Sequence, residues 1–246
     1  MVKPIKKKKI IIKDEYVPLP EKIYGQIVEN FSSILAGVGI VAIIFGVIWG
    51  VMYFSQKKEE RASEAFSKAV NVYWRTINNY NSLSDKENTE GPKKLNFNEA
   101  KGMFQKIAKE YKTTTYGKWA ELYLANCYRY EGNLGEAEKL YLEFIKKYEK
   151  NDIIALQAYQ KLTVTLFDEG KYEDAIRYCN AYLEKKDSMA IDRFLFRIAL
   201  CYEKINELNK AQTYYKRIVD EYPQSDLSRK AKEKYEAITV IKMQGL

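Results

Sequence analysis

"YLANCYRYEGNLGEAEKLYLEFI", residues 123–145, carries two apolar helical faces separated by a short polar turn. Ala120, Tyr123, Leu124, Cys127 and Tyr128 recur at intervals of three and four and line the first face; "EGNLGE" turns the chain; Ala137, Leu140, Tyr141, Phe144, Ile145 and Tyr148 line the second. The arrangement returns in "KLTVTLFDEGKYEDAIRYCNAYL" (161–183) and "RIALCYEKINELNKAQTYYKRIV" (197–219), so that Ala137, Ala175 and Ala211 hold one place in the repeat, 38 and 36 residues apart. Neither helix of such a pair buries its face alone. Stacked neighbours bury it together, and the expected fold class is an all-α solenoid of helical hairpins.

Outward from this array, "EERASEAFSKAVNVYWRTINNY" (59–80) predicts a long helix and "FNEAKGMFQKIAKEY" (97–111) its partner, with Ala100 and Phe104 at rear-helix positions. The polar "NSLSDKENTEGPKKLN" (81–96) between them is too long for a tight turn and is expected to be a solvated loop. "YPQSDLSRKAKEKYEAITVIKM" (222–243) predicts a capping helix, started near Ser225 or Asp226, over the last apolar face. The domain is expected to fold from about residue 60 onward without what precedes it.

Upstream the composition changes. "ILAGVGIVAIIFGVIWGVMYF" (34–54) has no charge between Glu29 and Lys57, and at the helical rise it measures about 31 Å, the thickness of a bilayer's hydrocarbon. Trp49, Tyr53 and Phe54 gather at one end, where amphipathic rings favour the headgroup level. The basic head is too long, and a small-residue cleavage site too absent, for a removable signal, so an uncleaved signal anchor is expected. Lys3, Lys6, Lys7, Lys8, Lys9, Lys13 and Lys22 precede the span, against Lys57, Lys58, Arg61 and Lys68 after it, which predicts a cytoplasmic N-terminus. Ile23, Tyr24, Ile27, Val28 and Phe31 predict a juxtamembrane helix, and Ala42, Gly46 and Gly50, four apart, mark a face on which two membrane helices could approach closely. The expected organisation is a basic tail with juxtamembrane helix (1–30), a transmembrane anchor (31–56) and a repeat domain with its cap (57–246).

The chain contains no histidine, which removes the common general base and the common metal ligand. Neither G-x-x-x-x-G-K-[ST] nor G-x-G-x-x-G occurs, and carboxylates such as Glu136 and Glu138 lie in polar surroundings. No enzyme, no metal and no cofactor is expected. The net charge of +8 is shared between the basic tail and a mixed-charge remainder, so no nucleic-acid partner is needed to explain it. Cys127, Cys179 and Cys201 fall on repeat helices and are expected as small buried thiols; only Cys179 and Cys201, on neighbouring repeats, lie near enough in the array to pair.

The repeats resemble the tetratricopeptide repeat: Leu124-Ala125, Tyr128, Ala137 and Tyr141, then Leu162-Thr163, Leu166, Ala175 and Cys179, then Ile198-Ala199, Tyr202, Ala211, Tyr215 and Pro223 echo its pattern. Phe144, Tyr182 and Ile218 depart from it, standing where that repeat often has a second small residue. The resemblance implies a partner-binding groove on the outward positions of each first helix. Those are Trp119, Leu122, Tyr123, Asn126, Arg129 and Tyr130; Gln160, Lys161, Val164 and Phe167; and Arg193, Phe196, Arg197 and Leu200. Asn126, Lys161, Arg193 and Arg197 also fall where related domains grip a C-terminal carboxylate, though Leu122 and Lys161 differ from that pattern.

Tail, span and repeats together resemble the YfgM family of bacterial inner-membrane proteins. That resemblance implies a single-pass protein with a periplasmic repeat domain, a non-enzymatic, chaperone-like accessory of the secretion translocon. Its partners would be translocon subunits, a periplasmic chaperone or exported polypeptides, with self-association through the membrane helix. The "EYPQSDLSRKA" stretch also looks like repeats of outer-membrane assembly lipoproteins and of the Tol-Pal coordinator, which leaves a structural organiser of an envelope machine of outer-membrane assembly, Tol-Pal, division or pilus type as the alternative.

Overall fold

A computed structural model describes residues 23–24, 27–84, 95–150, 152–185 and 189–244. The basic leader and residues 85–94 of the polar insertion lie outside the described residues. The chain divides into two compact units, residues 1–56 and 57–246. In the first, the apolar run belongs to a helix, α1 (Phe31–Ser84), long and apolar enough there to cross a bilayer. Its side chains from Ile34 to Phe54 are almost all exposed, and Trp49 stacks on Tyr53 at 5.6 Å.

The second unit begins in the later part of α1, which runs to Ser84, four residues into the segment expected to be loop. There follow α2 (Asn98–Glu110), α3 (Thr115–Tyr130), α4 (Leu134–Tyr148), α5 (Asp152–Asp168), α6 (Tyr172–Leu183), α7 (Ile191–Lys204), α8 (Leu208–Glu221) and α9 (Ser228–Met243). From α2 onward each helix packs on the next, and the first helices α3, α5 and α7 also touch one another in sequence. The unit is thus an all-α, tetratricopeptide-like solenoid of hairpins.

One backbone device makes the turn within each of the three repeats. Gly132, Gly170 and Asn206, each five residues before the repeat alanine, take φ of 80°, 77° and 60°. After them the amides of Asn133, Lys171 and Glu207 donate to the carbonyls of Tyr128, Leu166 and Tyr202 at 2.9, 2.9 and 2.8 Å, and those of Gly132, Gly170 and Asn206 donate to Arg129, Phe167 and Glu203. This paired closure satisfies helix-end carbonyls and reverses the chain in a few residues. Glycine takes the left-handed conformation at no steric cost, and asparagine is among the few other residues that tolerate it. At the entry to α3 the Thr114 hydroxyl accepts from the Gly117 amide at 2.9 Å. A Cβ at Gly117 would stand 2.0 Å from the Tyr111 carbonyl oxygen, so only glycine fits the approach.

Behind the turns, small residues set how closely the helices cross. Ala137, Ala175 and Ala211 are buried together with the small first-helix residues of their clusters, Ala125 beside Ala137 and Ala199 beside Ala211, and Tyr141, Cys179 and Tyr215 are wholly buried one turn further along the second helices. Among the described residues the apolar interior forms three clusters: one from α1, α2 and α3, one across α3 to α7, and one from α7, α8 and α9. Leu183, Tyr202 and Tyr214 pack against both of the last two. The capping helix starts at Ser228 rather than at Ser225 or Asp226. Ser225 is engaged before it, accepting from the Leu227 amide at 3.0 Å and donating to Asp192 on α7.

Ala175 is wholly buried in the central cluster, so Ala175→Leu should cost about 1–3 kcal/mol by overpacking, read as a shift in a urea melt followed by circular dichroism. The three cysteines are free and buried. Burial pushes the Cys127, Cys179 and Cys201 thiols up from 9.0 to about 12, with the Glu131 carboxylate adding to the effect at Cys127. A thiol raised in the fold is indifferent below its unfolded value and penalises the fold above it, so stability should fall as pH climbs from about 9 to about 12. Below that window, iodoacetamide should modify none of the three thiols in native protein and all of them after unfolding, counted by mass spectrometry.

Candidate functional site

The outward positions expected to form one groove divide into two sets. Tyr123 turns into the interior beneath the early helices: its ring meets Phe66 edge-on at 5.2 Å, Tyr73 at 5.3 Å and Phe104 at 5.2 Å. Leu122 is buried, and Trp119 packs against the central cluster. Asn126 is buried too, its Oδ1 accepting from the Tyr141 hydroxyl at 2.6 Å, a bond within the hairpin that also satisfies a deeply buried phenol. Tyr130 remains 40% exposed, its ring tilted over Phe97 at 6.2 Å and edge-on to Tyr73 at 6.1 Å. These side chains are spent largely on packing against α1, α2 and α4.

The second set converges. Gln160, Lys161 and Val164 of α5, with Arg193, Phe196, Arg197 and Leu200 of α7, line one cleft of about 450 Å³. Thr163, Asp192, Phe194, Asp226, Leu227 and Lys230 complete its wall. Phe196 forms an apolar floor, edge-on to Tyr215 at 5.5 Å, and the Lys230 ammonium stands 5.6 Å above its ring. The Arg197 guanidinium lies 5.2 Å from the centre of the Phe167 ring.

Arg129 on α3 reaches toward the same face and bonds Asp168, at the end of α5, at 2.5 Å. Its Nε is buried without a hydrogen-bond partner among the described residues. Lys161 is held below the ordinary lysine value by burial and then by the nearby Arg129 charge. Burial likewise lowers Arg197, against the opposing influence of Asp168. Cations on α3, α5 and α7 are therefore gathered within electrostatic reach of one another.

Asp168, Asp192, Asp226 and Lys230 escaped the sequence reading. Asp168 was recoverable, because it follows Lys161 and Val164 at helical spacing on the same face. Lys230 was not, since it belongs to the cap and enters the cleft only once α9 folds over α7 and α8. In the first unit Ala42 is exposed and nothing lies within 4 Å of a Cβ built at Gly46 or Gly50, so that face is open.

Stacked helical hairpins presenting a mixed apolar and cationic cleft define a repeat-type interaction domain. The chain belongs to the tetratricopeptide repeat-like domain family, which it matches over residues 28–240. Over 189 residues it is 28% identical to an uncharacterized protein of Borreliella burgdorferi, an alignment covering 71% of this chain and 53% of that protein. The chain thus spans about half the length of this relative. Domains of this family are generally non-enzymatic interaction modules.

The two sets should separate experimentally. Tyr123→Ala removes a partly buried ring from an aromatic cluster and should cost about 1–3 kcal/mol. Arg193→Ala, at an exposed position, should shift stability by no more than about 0.5 kcal/mol. Paired urea melts measure both.

Proposed function

We propose that this chain is a single-pass membrane protein whose repeat domain is a non-enzymatic scaffold for other proteins. The observation that carries the reading is the cleft between α5, α7 and α9: an apolar floor with cationic edges, on a domain whose family is built for protein partners. The apolar run in α1 supports attachment to a membrane. The lysine excess ahead of that run supports a cytoplasmic N-terminus and a repeat domain on the far side, which in a bacterial inner membrane is the periplasm.

The cleft suits an extended segment of polypeptide, whose apolar side chains rest on Phe196 and Leu200 while polar groups meet Arg193, Arg197 and Lys230. Exposed unfolded segments of this kind occur where proteins emerge from a secretion channel. On this reading the protein is a chaperone-like accessory of the translocon, in contact with its subunits, with a periplasmic chaperone or with exported chains. Gly46, Gly50 and Ala42 offer the face for a second membrane helix.

Two measurements test the proposal. Protease added to spheroplasts should digest the repeat domain, and protection until lysis would refute the orientation. Photocrosslinking from position 196 or 200 in living cells should trap translocon subunits or exported polypeptides. Adducts confined to septal, pilus or outer-membrane machinery would instead make the protein an organiser of an envelope assembly.

A further inference from the structure

From α2 onward each helix packs on the next and short connections reverse the chain, so these connections alternate between two edges of the repeat domain. The turns inside the hairpins share one edge, and the connections between hairpins share the other. Charge divides along the same line. Residues 109–118 and 146–150, the connections that follow α2 and α4, carry Lys109, Lys112, Lys118, Lys146, Lys147 and Lys150 against Glu110 and Glu149. Residues 129–138 and 168–174, the turns inside two hairpins, carry seven acids against Arg129 and Lys171.

The two basic connections meet. The Lys118 and Lys147 ammonium groups stand 5.7 and 4.9 Å from the centre of the Tyr148 ring, and Lys147 pairs with Glu121 of α3 at 2.6 Å. Lys112, Lys146 and Lys150 stay exposed, the last two lining a cavity of about 320 Å³. Further along this edge the charge changes: residues 184–192, after α6, are mixed, and the connection after α8 carries Asp220, Glu221 and Asp226. The positive charge is thus confined to the hairpins nearest α1.

Helix α1 enters the domain at this edge. The Lys58 ammonium donates to Thr113 Oγ1 at 3.2 Å, and the Glu59 carboxylate accepts from the Thr115 amide at 2.9 and 3.1 Å, satisfying a donor in the first turn of α3. Lys58 lies four residues beyond Phe54, the last of the apolar run. At no more than about 3.6 Å per residue this is about 14 Å of chain, so the connection 109–118 stays near the end of that run however the two units are arranged.

We propose that this edge is a docking surface for anionic lipid headgroups, on which Lys112, Lys146 and Lys150 rest with Lys109 and Lys118 beside them. This rests on the single-pass reading given above and goes beyond it, by assigning the repeat domain a contact with the bilayer apart from its anchor. Ammonium groups are drawn to an anionic surface within about a Debye length, roughly 8 Å at physiological salt, and flexible lysine stems let several reach it without disturbing the packing beneath. The same field repels the acidic edge, so both edges act to orient the domain. A soluble acidic partner would match the charge, but not its confinement to the connections beside the membrane exit.

The test uses the full chain in nanodiscs of phosphatidylcholine alone or mixed with phosphatidylglycerol, each containing a lipid with a nitroxide on its headgroup. A fluorophore is attached through Glu149→Cys, whose place at the bilayer covalent length does not dictate, or through Lys139→Cys, exposed elsewhere on α4. The native cysteines are buried and stay unlabelled. Quenching at 149 should be about twofold or more greater on the anionic discs than on the neutral ones. The difference should vanish at high salt and in the Lys112→Glu, Lys146→Glu, Lys150→Glu triple variant, and quenching at 139 should stay low throughout. The triple variant, changed only at exposed positions, should keep the parent's circular dichroism and melting behaviour.

Equal quenching at 149 and 139 on anionic discs would overturn the docking surface and leave the membrane anchor standing. Quenching at 149 that ignores lipid charge, salt or the triple variant would assign the approach to something other than these lysines and overturn it too. Heparin captured through the same lysines, with no response to lipid charge, would make the patch a site for a soluble polyanion, which also overturns it. A chain that leaves its native membranes in an alkaline carbonate wash would bring down the single-pass reading, and the docking surface with it.

Discussion

Everything in the repeat domain depends on how near two helices approach at a crossing where the side chain is a methyl group. Ala137, Ala175 and Ala211 are wholly buried, and small residues of the first helices share their clusters, Ala125 with Ala137 and Ala199 with Ala211, which lets the two helices of a hairpin lie close. Larger side chains there would spread the hairpin and open the seam that the next hairpin fills. The bulky residues, Tyr141, Tyr182, Phe194 and Tyr215, occupy the gaps between such crossings. Close crossings also fix the angle between hairpins, and hence which first-helix residues face a common cleft.

The repeat was legible because its signals are short-range and periodic. Apolar residues at helical spacing, a glycine-bearing turn and a recurrent alanine all lie within one unit of sequence. Less legible were features set by a neighbour. Asn206 does the work of Gly132 and Gly170 with no glycine to announce it. Helix α9 starts at Ser228 because Ser225 is drawn into contact with Asp192, a partner distant in sequence. The site divides on the same principle. Arg193, Phe196 and Arg197 face the cleft as their helical position implies. Tyr123 does not, since its neighbour is the irregular α1 and α2 pair, whose Phe66, Tyr73 and Phe104 form a ring cluster that takes it in. Asn126 is withdrawn by Tyr141, a claim visible only once the hairpin closes.

The cleft sets two demands against each other. Packing favours neutral, well-matched surfaces, whereas this cleft also holds cations, Lys161 and Arg197 among them, that are partly withdrawn from water. Arg129, Lys161 and Arg197 stand on three successive first helices, α3, α5 and α7. The apolar clusters run across hairpin boundaries, the central one from α3 to α7, so neighbouring units are held together. Lys230 on α9 extends the positive edge from an element whose main task is to cover the last apolar face.

The order of packing along the chain bears on how the domain comes into being. From α2 onward each helix finds its main partners in the helices adjoining it in sequence, and none waits for a distant segment. Closing such contacts restrains only short loops of chain, a topology that folds quickly. Hairpins completed early can therefore gain their shape while later ones are still being synthesised. Their exposed leading edge is the apolar face that the following hairpin covers, so the structure grows by templating, one unit on the last, until α9 closes it.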